Sequence, residues 1–169
     1  VALYRPIDSV LVATPLALTS LRIIAHPDIS LEALSLKQLR AVFTGAIIDW
    51  GELGGSPGRI NVATREQGTA ARAIFDAVAL GGARPSPGAL VLAGDDLMAE
   101  YVAGDVGAIG YAWQALAGVQ VKLLAVTDED AFSVPVYAFS FAEPSGQLRD
   151  WLAWVQGRGV KQFPAGFQP

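Results

Sequence analysis

The chain has 169 residues and a mass of 17.7 kDa, room for one domain or two small lobes, and at this size roughly 70% of the unfolded surface is buried on folding. Hydrophobic residues make up 52% and charged residues only 17%, which argues against disorder and coiled coil. Twelve basic residues against 16 acidic ones leave a net charge of −4, so nucleic acid and anionic membrane surfaces are disfavoured as partners. No run of about 18 unbroken apolar residues occurs; the best candidate, 10–29, is interrupted by Arg22, His26 and Asp28. There is no cysteine and one histidine, which excludes disulfides, thiolate chemistry and a histidine-rich metal site, and no cofactor is expected. The first residue is Val1 and no positively charged stretch precedes an apolar run, so a leader peptide is expected to have been removed or never present.

In chain order, Ser9 to Leu18 and Leu21 to Ala25 are rich in β-branched residues and read as extended chain, with Pro15 and Pro27 marking edge or hinge positions. Ser35-Leu36-Lys37-Gln38 has capping-box spacing, and Leu36, Leu39, Val42 and Phe43 continue it as a helical stripe that Gly45 stops. Gly51 to Gly58 is a loop and Ile60 to Ala63 a short buried strand. That strand feeds Arg65-Glu66-Gln67-Gly68-Thr69, after which Ala70 to Leu80 reads as helix with Ile74, Phe75 and Val78 on one face. A second such passage follows: Ala89 to Ala93 extended, then Gly94-Asp95-Asp96, either aspartate a plausible N-cap for a helix over Leu97 to Ala103. Gly107 to Trp113, Val119 to Val126 and Val134 to Phe141 are strands, and Ser145 caps a last helix through Gln156 with Leu148, Trp151, Leu152 and Val155 at helical spacing. Strands alternating with helices indicate an α/β architecture with a mixed or parallel sheet.

The strand, glycine turn and helix around Gly68 carry chemistry. A helix N-terminus leaves up to four backbone N–H groups unbonded and carries about half a positive charge, so a glycine turn entering it can hold an oxyanion. Gly68 permits close backbone approach, the amides of Thr69, Ala70 and Ala71 point at the ligand, the Thr69 hydroxyl adds a donor, and Arg65 can offer a fork to two oxygens. The plainer reading is a simple N-cap, with Arg65 paired to Glu66 or Asp76. Arg72 opposes the helix dipole, which an anionic partner would explain. His26 suits a structural role as well as a ligand, and Asp95 and Asp96 suit caps better than a paired-carboxylate site. Trp50 packs behind the glycine loop, Tyr111 lines the cleft or merely packs, and Trp151 and Trp154 belong to the core unless a missing lobe exposes one. Neither a G-x-S-x-G elbow nor a partnered nucleophile is present, so no enzyme is expected and no catalytic residue is named.

Several segments in order resemble one family. Leu34 to Gly45, followed by Asp49-Trp50-Gly51-Glu52-Leu53-Gly54-Gly55, is similar to the "Ls-leqL-IFsG-NWselGG" segment of the phosphate-binding proteins of ABC transporters. Thr64-Arg65-Glu66-Gln67-Gly68-Thr69 resembles their "sREeGSGTR" anion loop, Gly107-Ala108-Ile109-Gly110-Tyr111 their "gaIGY" strand, and Val134 to Tyr137 through Gly166-Phe167 their last strand, last helix and "GF-P" ending. Ala70 and Ala71 stand where the family has a glycine and a second hydroxyl. A lost hydrogen bond to a charged group is worth about 1.5 to 3 kcal/mol, an expected ten- to hundredfold drop in affinity.

The resemblance implies a periplasmic-binding-protein-like lobe: an α/β fold with a mixed sheet flanked by helices, plus the C-terminal return strand and helix of the other lobe. It implies entry or hinge strands over 1–26, an oxyanion-binding lobe over 27–126 and a return segment over 127–169, without the N-terminal lobe-forming segment of the family. By the same resemblance the ligand is phosphate or a similar tetrahedral oxyanion, held by Arg65, Gly68, Thr69, Ala70 and Ala71. The partner is the membrane permease of an ABC transporter and the location periplasmic or extracellular. The alternative is an interaction or dimerisation domain that kept the fold and lost its ligand, which a mean hydropathy of +0.39 suits. Replacing Arg65 by Ala and Thr69 by Val together is expected to abolish oxyanion binding and leave stability nearly unchanged.

Overall fold

In the computed structural model the described residues are 10–114, 120–127, 132–162 and 167–168. Among them eight strands and four helices follow one another: β1 Val12–Ala25, β2 Ala33–Leu34, α1 Leu36–Thr44, β3 Asn61–Arg65, α2 Ala70–Phe75, β4 Leu90–Leu92, α3 Asp95–Gly104, β5 Ala108–Trp113, β6 Lys122–Val126, β7 Ser133–Ser140, α4 Gly146–Gln156 and β8 Phe167–Gln168. The chain divides into two compact units, one comprising the residues up to Ser20 and from Ser133 onward, the other Leu21–Phe132. The mixed α/β fold expected from the alternation of strands and helices is present.

In the larger unit, β1 from Leu21 onward pairs antiparallel with β5 and β6, β6 carries β2 in parallel, and β3 lies parallel to both β5 and β4. Strand alternation sorts the side chains between two layers. Ile23, Ile109 and Tyr111 face Leu39, Val42 and Phe43 of α1 and Phe75 of α2. Ile24, Ala108 and Ala112 face Met98 and Val102 of α3. Gly110 belongs to the second layer, where an added Cβ would run into Met98.

The helix signals are physical. Ser35 accepts from the amide of Gln38 at 3.2 Å while the Gln38 side chain accepts from the Ser35 amide at 2.9 Å, a complete capping box. Gly45 ends α1 at φ +81°, where its amide reaches Val42 O. After Phe75 the helix widens into a π turn over Asp76–Leu80, which closes on Gly81 at φ +56°. The loop after α1 contains a 3-10 turn, Trp50–Leu53, and Trp50 sits buried behind it with its indole N–H donating to Gly107 O at 3.2 Å.

Two expectations are corrected here. Neither Asp95 nor Asp96 caps α3: the N-cap is Gly94, and both aspartates fall in the first helical turn. Trp151 and Trp154 are not core residues but 49% and 44% exposed, because α4 packs in the smaller unit through Leu152 and Val155 against Leu16 of β1. In that unit β1 pairs antiparallel with β7 and β8, and its register slips between Pro15 and Ala17, where proline offers no ladder N–H. The strand expected over Val119–Val126 begins at Lys122, and Val119 lies outside the described residues, as do Gly166 and Pro169.

One carboxylate ties β3 to the turn before β5. Asp105 accepts from Asn61 Nδ2 at 3.0 and 2.9 Å, from the Gly107 amide at 2.9 Å and from the Tyr101 hydroxyl at 3.2 Å. Burial, the largest single influence, pushes this carboxyl up, but those hydrogen bonds and nearby His26 together outweigh it and hold it below its ordinary value. A depressed folded value means the contribution to stability is full above the unfolded carboxylate pKa and fades as pH falls through the folded one. Asp105→Asn should therefore flatten the decline of unfolding free energy below about pH 5, measured by urea denaturation at a series of pH values; an unchanged acid slope would refute this.

Candidate oxyanion site

β3 delivers the chain to Arg65, and the turn Glu66–Gly68 passes it into α2. Gly68 takes φ +92° with open space where a Cβ would stand, a conformation that favours glycine. Thr69 is the N-cap of α2: its hydroxyl accepts from the Arg72 amide at 3.3 Å and donates to Glu66 O at 2.9 Å. That hydroxyl hydrogen is thus spent inside the turn. The Thr69 amide leans on Glu66 O at 3.4 Å, whereas the amides of Gly68, Ala70 and Ala71 donate to no acceptor among the described residues. Gly68 and Ala70 are exposed, while Ala71 turns into the main core, where a hydroxyl would have no partner.

Arg65 does not offer a fork to the turn. Alternation along β3 places Thr64 on the α2 side and Arg65 on the α3 side, where it is only 6% exposed. Its Nε donates to Leu92 O at 3.1 Å, its Nη2 to Ala93 O at 3.0 Å and its Nη1 to Asp95 in a salt bridge. The ion pair is with neither Glu66 nor Asp76, and it joins the ends of β3 and β4 to α3. Sequence alone does not show Asp95 in this role, since the pair forms only where β4, parallel to β3, leads into α3.

The cation beside the turn is Arg72. Its Nε meets both oxygens of Asp76 at 2.8 and 2.7 Å, and its Nη1 donates to Arg65 O at 2.9 Å and to Thr64 Oγ1 at 3.1 Å. The anion that offsets its unfavourable place near the helix start is therefore Asp76, one turn on. Thr64 Oγ1 and the Tyr111 hydroxyl lie 2.9 Å apart, and the Arg65 amide donates to Tyr111 at 3.1 Å. Tyr111 packs rather than lining a cleft, and burial pushes its phenol above the ordinary value, partly offset by its hydrogen bonds and by Arg72. His26 is an acceptor at Nδ1 for the Asp28 amide at 3.2 Å.

The chain is 27% identical over 164 residues to the phosphate-binding protein PstS of Bacillus subtilis, a match that takes in 90% of this chain and 54% of that protein. Among solved structures, an ABC-type phosphate transport receptor from Vibrio cholerae superposes with a TM-score of 0.72 at 22% identity, over 92% of this chain and 70% of the other. Over most of its length the chain is similar to phosphate-binding proteins in sequence and shares their fold. Another structure in this fold, PstS from Borrelia burgdorferi, gives a TM-score of 0.72 at 16% identity, over 94% of this chain and 72% of that one. The chain spans about half the length of the curated relative it matches, and no family model matches it. The phosphate-binding protein fold thus accounts for the order of strands and helices, and the named relatives are binding proteins and transport receptors. Among the described residues no helix is long and apolar enough to cross a membrane, and no group of three metal-ligating side chains is present.

Proposed function

We propose that this chain binds inorganic phosphate or a similar tetrahedral oxyanion on the turn before α2 and serves an ABC transporter as its extracytoplasmic receptor module. The observation that carries the reading is the set of unbonded amides at Gly68, Ala70 and Ala71, two of these residues exposed, at the positive end of a helix. The name of the Bacillus subtilis relative supports phosphate as the ligand. The module acts by binding and presents its occupied form to a membrane permease. Its binding lobe spans 27–126, entered through 1–26 and left through 127–169. Arg65 holds the turn from behind through Asp95, while the turn backbone touches the ligand. With only backbone donors on the turn, affinity is weaker than a hydroxyl-lined loop would give.

Ala70→Pro tests this directly. Ala70 is the first helical residue and Thr69 before it is already extended at φ −77°, ψ 147°, so proline fits the helix start while deleting one amide. Titration calorimetry should show phosphate affinity falling about tenfold with the melting temperature within about 2 °C of the parent. Unchanged affinity in a folded Ala70→Pro protein would remove the turn as the seat of phosphate.

A further inference from the structure

Beside the turn, which lends Gln67 to its wall, runs a groove of about 660 Å³ whose other walls include Thr64, Arg72, Asp76, Arg84, Pro85 and Val91. Its size falls within the range of sites for organic ligands rather than for a bare ion. Three features give it chemical character. Arg72 uses Nε and Nη1 on Asp76, Thr64 and Arg65 O, and its Nη2 has no partner among the described residues. Arg84, exposed at the rim, makes no hydrogen bond or ion pair with any described residue. With Asp76 matched to Arg72, the groove keeps one uncompensated positive charge.

The third feature is a hydrogen count. Thr64 Oγ1 accepts from Arg72, the Tyr111 hydroxyl accepts from the Arg65 amide, and the two hydroxyls share a single hydrogen bond. Two hydroxyl hydrogens and one shared bond leave one hydrogen with no acceptor among the described residues. Tyr111 is fully buried and does not line the groove; Thr64 is 2% exposed and does. If Tyr111 donates in the shared bond, the surplus donor is the Thr64 hydroxyl, at the groove wall beside Arg72. A buried donor of that kind calls for an acceptor.

We infer that this groove binds a phosphate monoester, its phosphoryl oxygens taken by Arg72 Nη2, the Thr64 hydroxyl and Arg84, and its organic body laid along Pro85 and Val91. Three donors from three elements suit a phosphoryl group better than a planar carboxylate. The inference goes beyond the turn reading and does not require it, because Ala70 and Gly68 do not line the groove.

The test is calorimetric titration of the full chain with phenyl phosphate, benzoate and inorganic phosphate. Phenyl phosphate should bind at least about tenfold tighter than benzoate, lose about tenfold in Thr64→Val and in Arg84→Met, and return to within about twofold of the parent in Thr64→Ser. Arg84 is exposed, so its variant remains informative if Thr64→Val fails to fold. Equal affinity for benzoate, absence of phenyl phosphate binding, or phenyl phosphate affinity unchanged in Arg84→Met would overturn the groove assignment. The two readings fail separately: Ala70→Pro with unaltered inorganic phosphate affinity sinks the turn, and Arg84→Met with unaltered phenyl phosphate affinity sinks the groove.

Discussion

Arg65→Leu should lower the unfolding free energy by about 3 to 5 kcal/mol, the usual result of removing one partner from a buried ion pair. The Arg65 and Asp95 side chains are 8% and 12% exposed, and the guanidinium also satisfies Leu92 O and Ala93 O. Leucine would fill part of the volume but leave the largely buried Asp95 carboxylate without its cation and two carbonyls without that donor. The charge-free pair Arg65→Leu with Asp95→Leu should regain more than half of the loss, because desolvating two charges costs nearly as much as their attraction returns. Urea denaturation of the three variants decides it; a loss below about 1 kcal/mol in the single variant would show that Asp95 finds water or another donor. This outcome reverses the sequence-based expectation that the Arg65→Ala and Thr69→Val double variant would keep its stability. In such a variant, lost binding would report a collapsed turn as readily as a lost ligand contact.

How far the sequence reaches can be judged along β3. Its existence, the turn at Gly68 and the cap at Thr69 were legible because each rests on local rules: β-branched composition, glycine's freedom at positive φ, and a hydroxyl next to open amides. The direction of Arg65 was not, since a single residue of alternation decides whether a strand side chain faces α2 or α3. Thr64 and Arg65 are both polar, so the apolar pattern that fixes faces elsewhere is silent there. Asp95 lies 30 residues from Arg65 in sequence and becomes its neighbour only because β4, parallel to β3, leads into α3. The same blindness affects α4. Helical spacing grouped Leu148 and Trp151 with Leu152 and Val155, yet β1 covers only the last two strongly, and the wider apolar arc stays half exposed.

Phe75→Ala should cost about 3 to 5 kcal/mol while leaving phosphate affinity of the folded protein within about threefold of the parent. Phe75 is the last residue of α2 and fully buried, with its ring stacked on Tyr111 at 4.1 Å and tilted against Phe43 at 4.5 Å. Truncation removes those aromatic contacts and opens a cavity between α1, α2 and β5 that stiff neighbours fill only in part. Phe75→Leu, which keeps most of the volume, should cost about 1 to 2 kcal/mol. The turn itself is held by other means, since Arg72 clamps Arg65 O and Asp76 whether or not the ring beneath is present. Stability and binding should therefore separate, read by denaturant midpoints on one side and by calorimetry at a temperature well below the lowered melting point on the other. A proportionate loss of both would mean that the open amides depend on the aromatic stack for their orientation, and that the anion seat extends from the turn down into the core.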